Sequence, residues 1–430
     1  MMSYQFFKIG DKMQTLNFKR TKLACYTAYF TMSSIFCVPP LLFMTFHNLY
    51  NISYTLLGTL VLTNFCTQML VDLIFTMFSK KFNIQKVVRV MPCITSLGLF
   101  VYALIPQFFP QYAYIGLVVG TIIFSVSAGL SEVLLSPVIA AIPSDNPQKD
   151  MSMLHSLYAF GFFTMVVIST LFLKIFGNEN WFYLVLLIGT LPLIAAVMFK
   201  ISPFPDMTEE ASQKKNKEKN KSRTIGLALC VGSIFLGSCA ENTMSNWIST
   251  YMENALNIDK AFGDILGMAM FAILLGITRI TYAKYGKNIS KFLLVSMICA
   301  SVCYLTVSFS NNTILSFVGC VLTGIFTAML WPGTLILMEE KVKGVGVAAY
   351  ALMASAGDFG ASLAPQLMGI VVDNISVSEF ALNMSNTLNL SPEQIGLKVG
   401  MLITSIFPIL GSILIVFIIS YFKKQNSQVK

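Results

Sequence analysis

Long runs of apolar residues, almost free of charge, recur along the whole chain and decide what it can fold into. A hydrocarbon core about 30 Å thick takes about 20 apolar residues per helix. Runs at 23–46, 54–79, 87–106, 112–141, 153–175, 181–200, 224–250, 261–283, 291–309, 312–338, 345–372 and 396–422 reach that length or come close to it. Lipid offers no water to a bare backbone group, so only helices or closed barrels span it. Barrel strands alternate apolar and polar residues. These runs do not, so the sequence predicts an all-α membrane protein with twelve transmembrane helices. Composition points the same way. Only 11% of the 430 residues are charged, against about 25% in ordinary soluble chains.

The net charge of +9 could suggest nucleic acid. The basic residues instead sit in short segments between the apolar runs, which is the pattern that orients membrane proteins. With a cytoplasmic N-terminus and twelve crossings, 25 of the 29 Lys and Arg fall on the cytoplasmic side. Lys174, Lys260 and Lys398 fall outside, and Arg279 lies within a helix. The expectation is a multi-pass protein of the cell membrane with both termini cytoplasmic, monomeric, with lipid around it and no nucleic-acid partner. The N-terminal stretch to Lys22 reads as a polar, basic leader without a cleavage site. The nine cysteines form no CxxC pair and no cluster with metal spacing, so no metal, disulfide or cofactor is predicted.

A basic segment with SQKKNKEKNKSR at its centre follows Pro203 and Pro205. It divides the chain into an N-terminal six-helix bundle (1–200), a cytoplasmic linker (201–223) and a C-terminal six-helix bundle (224–430). The halves repeat a pattern. Gly129 and Pro137 in helix 4 are eight residues apart, as are Gly324 and Pro332 in helix 10. Each half then reaches a glycine in its fifth helix, Gly161 and Gly357.

Charged residues inside a membrane helix are costly and tend to face a cavity or a partner. Four acids lie within the apolar runs: Asp72, Glu132, Glu241 and Asp358. They are the candidates for carrying a proton. Asp264, near a helix end, reads as interfacial. Around the acids stand amides and rings suited to a hydroxylated solute: Asn64, Gln68, Tyr158, Asn242, Asn246, Trp247 and Gln366. Asn64, Gln68 and Asp72 share one helix face at spacing four. His155 is a weaker candidate, and Trp247 could equally anchor the membrane interface.

The run Gly129-Leu-Ser-Glu132-Val-Leu-Leu-Ser-Pro137, followed by His155-Ser-Leu-Tyr-Ala-Phe-Gly161, resembles helices 4 and 5 of the fucose permease group of sugar:proton symporters. That group belongs to the major facilitator superfamily. Glu241-Asn-Thr-Met-Ser-Asn-Trp247 with Tyr251, and Gly357-Asp-Phe-Gly360 with Pro365 and Gly369, extend the resemblance into the second half. It implies two pseudo-symmetric six-helix bundles, with a solute site between them near the midplane. It also implies a protonation and substrate role for Glu132. The family's helix 1 aspartate has no counterpart in Ser34–Pro39, and only Lys80 and Lys81 remain of its loop between helices 2 and 3. The function expected is secondary active transport, as proton-coupled symport of a sugar or similar small polar solute. A drug or metabolite efflux antiporter is the main alternative, although helix 5 lacks the proline of the usual antiporter signature. A solute-sensing receptor would need a larger soluble segment than this chain offers. No enzyme motif such as HExxH, GxSxG or a P-loop is present.

Overall fold

Helices dominate the computed structural model, which describes residues 5–9, 12–16, 18–78, 82–145, 147–205, 221–342 and 347–428. Ten helices among the described residues are long and apolar enough to cross a membrane, and two bent pairs bring the number to twelve. Span 1 is the pair Lys19–Leu41 and Phe43–Tyr50, bent by 47°. Spans 2 to 6 are Tyr54–Phe75, Ile84–Phe108, Pro110–Ala141, Ser156–Phe176 and Asn178–Ile201. Spans 7 to 10 are Arg223–Ala255, Lys260–Tyr285, Ile289–Phe309 and Thr313–Lys341. Span 11 is the pair Ala349–Ser376 and Glu379–Leu388, and span 12 is Pro392–Lys424.

Two elements depart from the expected pattern. The leader read as merely polar contains a hairpin, with Gln5–Ile9 antiparallel to Lys12–Leu16. The loop expected after span 11 carries the helix Glu379–Leu388. Ser378 caps it, accepting from the Ala381 N–H. It is bent by 78° from Ala349–Ser376, the first helix of the pair. Residues 206–220 of the basic linker, and Lys80 and Lys81, lie outside the described residues.

Twelve crossings return the chain to the side on which it began. The start of span 1 and the end of span 12 therefore share one face, called here the termini face. There Lys22 of span 1 pairs with Asp150, and Ser144 donates to the same carboxylate. Partial burial pushes the Asp150 carboxyl up, but the bonds from Lys22 and Ser144 outweigh it and hold the group below the ordinary carboxylate range.

The sequence repeat has a packing cause. An added Cβ on Gly129 of span 4 would stand 3.1 Å from the Gln68 carbonyl of span 2. One on Gly324 of span 10 would stand 2.5 Å from the Phe271 carbonyl of span 8. Both glycines thus let the fourth helix of a bundle lie directly on its second, which is how small residues drive helix association in lipid. In the fifth helices the match is offset. Gly161 meets the Phe30 carbonyl of span 1, but the corresponding contact with span 7 is made by Gly360, against Phe235. Gly357 instead faces the Trp331 ring.

Candidate functional site

A cavity of about 620 Å³ lies between the two bundles. Its described walls come from spans 1, 2, 4 and 5 on one side and 7, 8, 10 and 11 on the other. In span 8 the lining runs from Ala272 to Ala283, the half of that helix nearer the termini face, so the cavity opens toward that face.

Six of the residues singled out from sequence meet on this wall: Gln68, Glu132, Tyr158, Glu241, Asn242 and Asp358. The others stand behind it or away from it. Asn64 is a helical turn from Gln68 and accepts from its amide at 2.9 Å, with the Ser125 hydroxyl 2.6 Å from the same oxygen. Asp72 is buried one turn further along, and its Oδ1 has no hydrogen-bond partner among the described residues. Asn246 donates to the Asn242 carbonyl at 2.8 Å. Gln366 packs against Gly58 where spans 2 and 11 cross. The His155 side chain lies outside the described residues.

Trp247 is neither on the wall nor at the lipid interface. It is fully buried, and its indole N–H donates to the Pro365 carbonyl at 3.1 Å. Phe43 and Tyr54 stand against its ring at centroid distances of 5.5 and 6.0 Å.

Two groups of wall residues were not singled out from sequence. The first is aromatic. Phe36 packs on Tyr158 and Phe65, at 5.6 and 5.9 Å between centroids, and Tyr29 meets Tyr158 edge-on at 6.5 Å. Trp331 lines the opposite side. The second is Arg279. Span 10 breaks at Ala328–Trp331, ahead of Pro332. Pro332 has no N–H, so the Ala328 carbonyl loses its intrahelical donor. Arg279 Nε replaces it at 2.8 Å. The same guanidinium donates through Nη2 to Glu241 Oε1 at 3.1 Å. One side chain thus ties spans 7, 8 and 10 together and provides the cation for one of the four acids. Its charge inside an apolar run, and an acid as its partner, could be read from the sequence, but that the acid is Glu241 and that the Ala328 carbonyl shares the guanidinium could not.

On the face away from the termini the bundles close on each other. Asp373 of span 11 caps the start of span 2 and accepts from the Tyr54 and Thr55 N–H groups at 3.0 and 2.6 Å. Asn254 donates to the Tyr54 hydroxyl at 2.7 Å, and Gln394 donates to the Asn254 carbonyl at 3.1 Å. Lys260 donates to the Leu41 carbonyl, at the bend of span 1, at 2.8 Å. It also pairs with Glu253 at 3.4 Å and Asp264 at 3.5 Å. Asp264, expected to be interfacial, is 1% exposed and accepts from Ser249 and from Thr170 of span 5. The wide turns Tyr251–Ala255 and Gly263–Ala269, which flank Lys260, carry both acids.

A family model described as Major Facilitator Superfamily matches residues 24–365. No curated protein matches the chain. Among solved structures, a bacterial homolog of the human lysosomal transporter Spinster, in an inward-facing and occupied conformation, is similar with a TM-score of 0.71. It is 13% identical, and the match covers 94% of this chain and 97% of that one. A D-xylose-proton symporter gives a TM-score of 0.69 at 13% identity, over 90% and 96% of the two chains. A variant of the E. coli fucose:proton symporter gives 0.55 at 13% identity, over 92% and 99%.

Proposed function

The chain belongs to the major facilitator superfamily and is a transporter, not an enzyme, and we propose that it is a proton-coupled symporter of a sugar or similar small polar solute. Residues 1–200 and 224–430 form the two rocking halves, and 201–223 join them. The basic bias of the termini face marks it as cytoplasmic, so the cavity opens to the cell interior. The protein works as a monomer in the cell membrane, with solute and protons as its partners.

The observation that carries this reading is the make-up of the cavity wall. Glu132 from one half and Asp358 from the other share it with Glu241, and the sole lining cation among the described residues, Arg279, is already paired. Acids in a membrane cavity are costly unless protonated or paired, which links their proton to the solute beside them. Glu132 also holds the position of the fucose permease glutamate in the sequence resemblance, and two of the similar structures are sugar:proton symporters. Gln68, Asn242, Asp358 and the rings around Tyr158 offer hydrogen bonds and stacking to a hydroxylated ring. Trp247, Asn246, Asn64 and Gln366 support the wall and the closed face rather than touching solute.

The test is uptake into proteoliposomes under an imposed pH gradient. An inward proton gradient should drive accumulation of the solute. Glu132→Gln should reduce it at least tenfold while exchange of labelled for unlabelled solute persists. Accumulation driven only by the opposite gradient would replace symport with the efflux antiport reading.

A further inference from the structure

Once Arg279 and Glu241 are set against each other, the cavity keeps two acids without a lining cation among the described residues, Glu132 and Asp358. Asp358 is 4% exposed, lines the cavity, and has an Oδ2 without a hydrogen-bond partner among the described residues. A native protein rarely leaves a buried polar atom so. The residue before it, Gly357, has no side chain, and the Trp331 indole occupies the space where a Cβ would stand. The ring therefore packs directly on the backbone that carries the acid. Asp358 and Trp331 both line the cavity, and a carboxylate and an aromatic ring on one wall together hold an ammonium group strongly once it is shielded from water.

We infer that the transported solute carries a protonated amine, held between Asp358 and Trp331. Its hydroxylated or ring-shaped body lies across the cavity against Tyr29, Phe36 and Tyr158. The inference rests on the transport reading above and divides the acids it left equivalent. Glu132 takes the proton, and Asp358 takes the ammonium. A neutral hydroxyl in the same place would keep a hydrogen bond to the carboxylate but lose the ion pair and the contact of a cation with the ring. Discrimination between amine and alcohol should therefore be large.

Two matched sets test this by thermal shift and titration on the purified full chain. One is glucosamine, glucose and glucuronate. The other is phenethylamine, phenylethanol and phenylacetate. The amine of at least one set should bind at least tenfold more tightly than its alcohol and its acid. Asp358→Asn should erase that preference. Asp358→Glu, which keeps the charge, should retain most of it. Gly357→Ala, whose methyl group displaces the Trp331 ring, should weaken the amine alone. Equal binding within both sets, a preference that survives Asp358→Asn, or no binding by either amine overturns the inference. The gradient assay separates the two readings. If neither amine is preferred within its set and glucose is accumulated on a proton gradient, the amine inference falls and symport stands. If an amine binds with the expected preference but no gradient drives its accumulation, proton coupling falls and the inference stands.

Discussion

Arg279 shows how one side chain can be both scaffold and site. Its fork reaches a carbonyl orphaned by proline and a carboxylate on the neighbouring span. An ammonium offers no such fixed fork, so Arg279→Lys should keep one bond and lose the other. Arg279→Met should lose both and leave Glu241 in the cavity without a cation. We expect a loss of about 2–3 kcal/mol, read as a lower Tm in detergent. That is below the range for fully buried pairs, because the guanidinium keeps some exposure to the cavity. Arg279→Met combined with Glu241→Met should recover part of it, and a double variant no more stable than the single one would remove the pairing from the account. The four acids were legible in the sequence because a charge inside an apolar run always needs a reason. The rings around Tyr158 were not, because Phe and Tyr at helical spacing look the same whether they face lipid, core or cavity. Lys260 and Asp264 stand four residues apart, so their pairing could have been read from sequence. The Leu41 carbonyl that completes their setting could not, since only the fold brings it there.

Helix-scale features follow from where the backbone hydrogen bonding is interrupted. Pro39 and Pro40 precede the bend of span 1, and Pro332 follows the break of span 10. At each interruption a side chain from another span bonds a carbonyl beside the break, Lys260 at Leu41 and Arg279 at Ala328. The bends are thus pinned rather than loose. Spans 2 and 11 cross at Gly369, where an added Cβ would collide with the Tyr54 carbonyl. Gly369→Val should wedge these spans apart on the face away from the termini. Spin labels on Tyr112→Cys and Val377→Cys, both exposed on that face, should report a longer mean distance by pulsed resonance. An unchanged distance distribution would mean the crossing tolerates the side chain. The twelve spans were legible because each apolar run is long. The helix Glu379–Leu388 was not, because it is short and its apolar residues are scattered among polar ones.

At the scale of the whole molecule, the two bundles meet on one face and part on the other. Lys260 concentrates much of the closure, since it joins both bundles and neutralises two acids in a mostly buried place. Lys260→Met would leave Glu253 and Asp264 facing each other without a cation, which favours the arrangement that separates them from span 1. Single-cysteine labelling of Met44→Cys, buried here, by an impermeant maleimide should then proceed several-fold faster from that face. A rate unchanged from the parent would shift the closure to Asp373 and Asn254. The cap that Asp373 places on span 2 has a consequence of its own. The amide protons of Tyr54 and Thr55 are held by a carboxylate from the other bundle, not by their own helix. They can trade with deuterium from solvent only when the bundles separate. Their isotope exchange therefore works as a clock for each opening, native to the chain and needing no label.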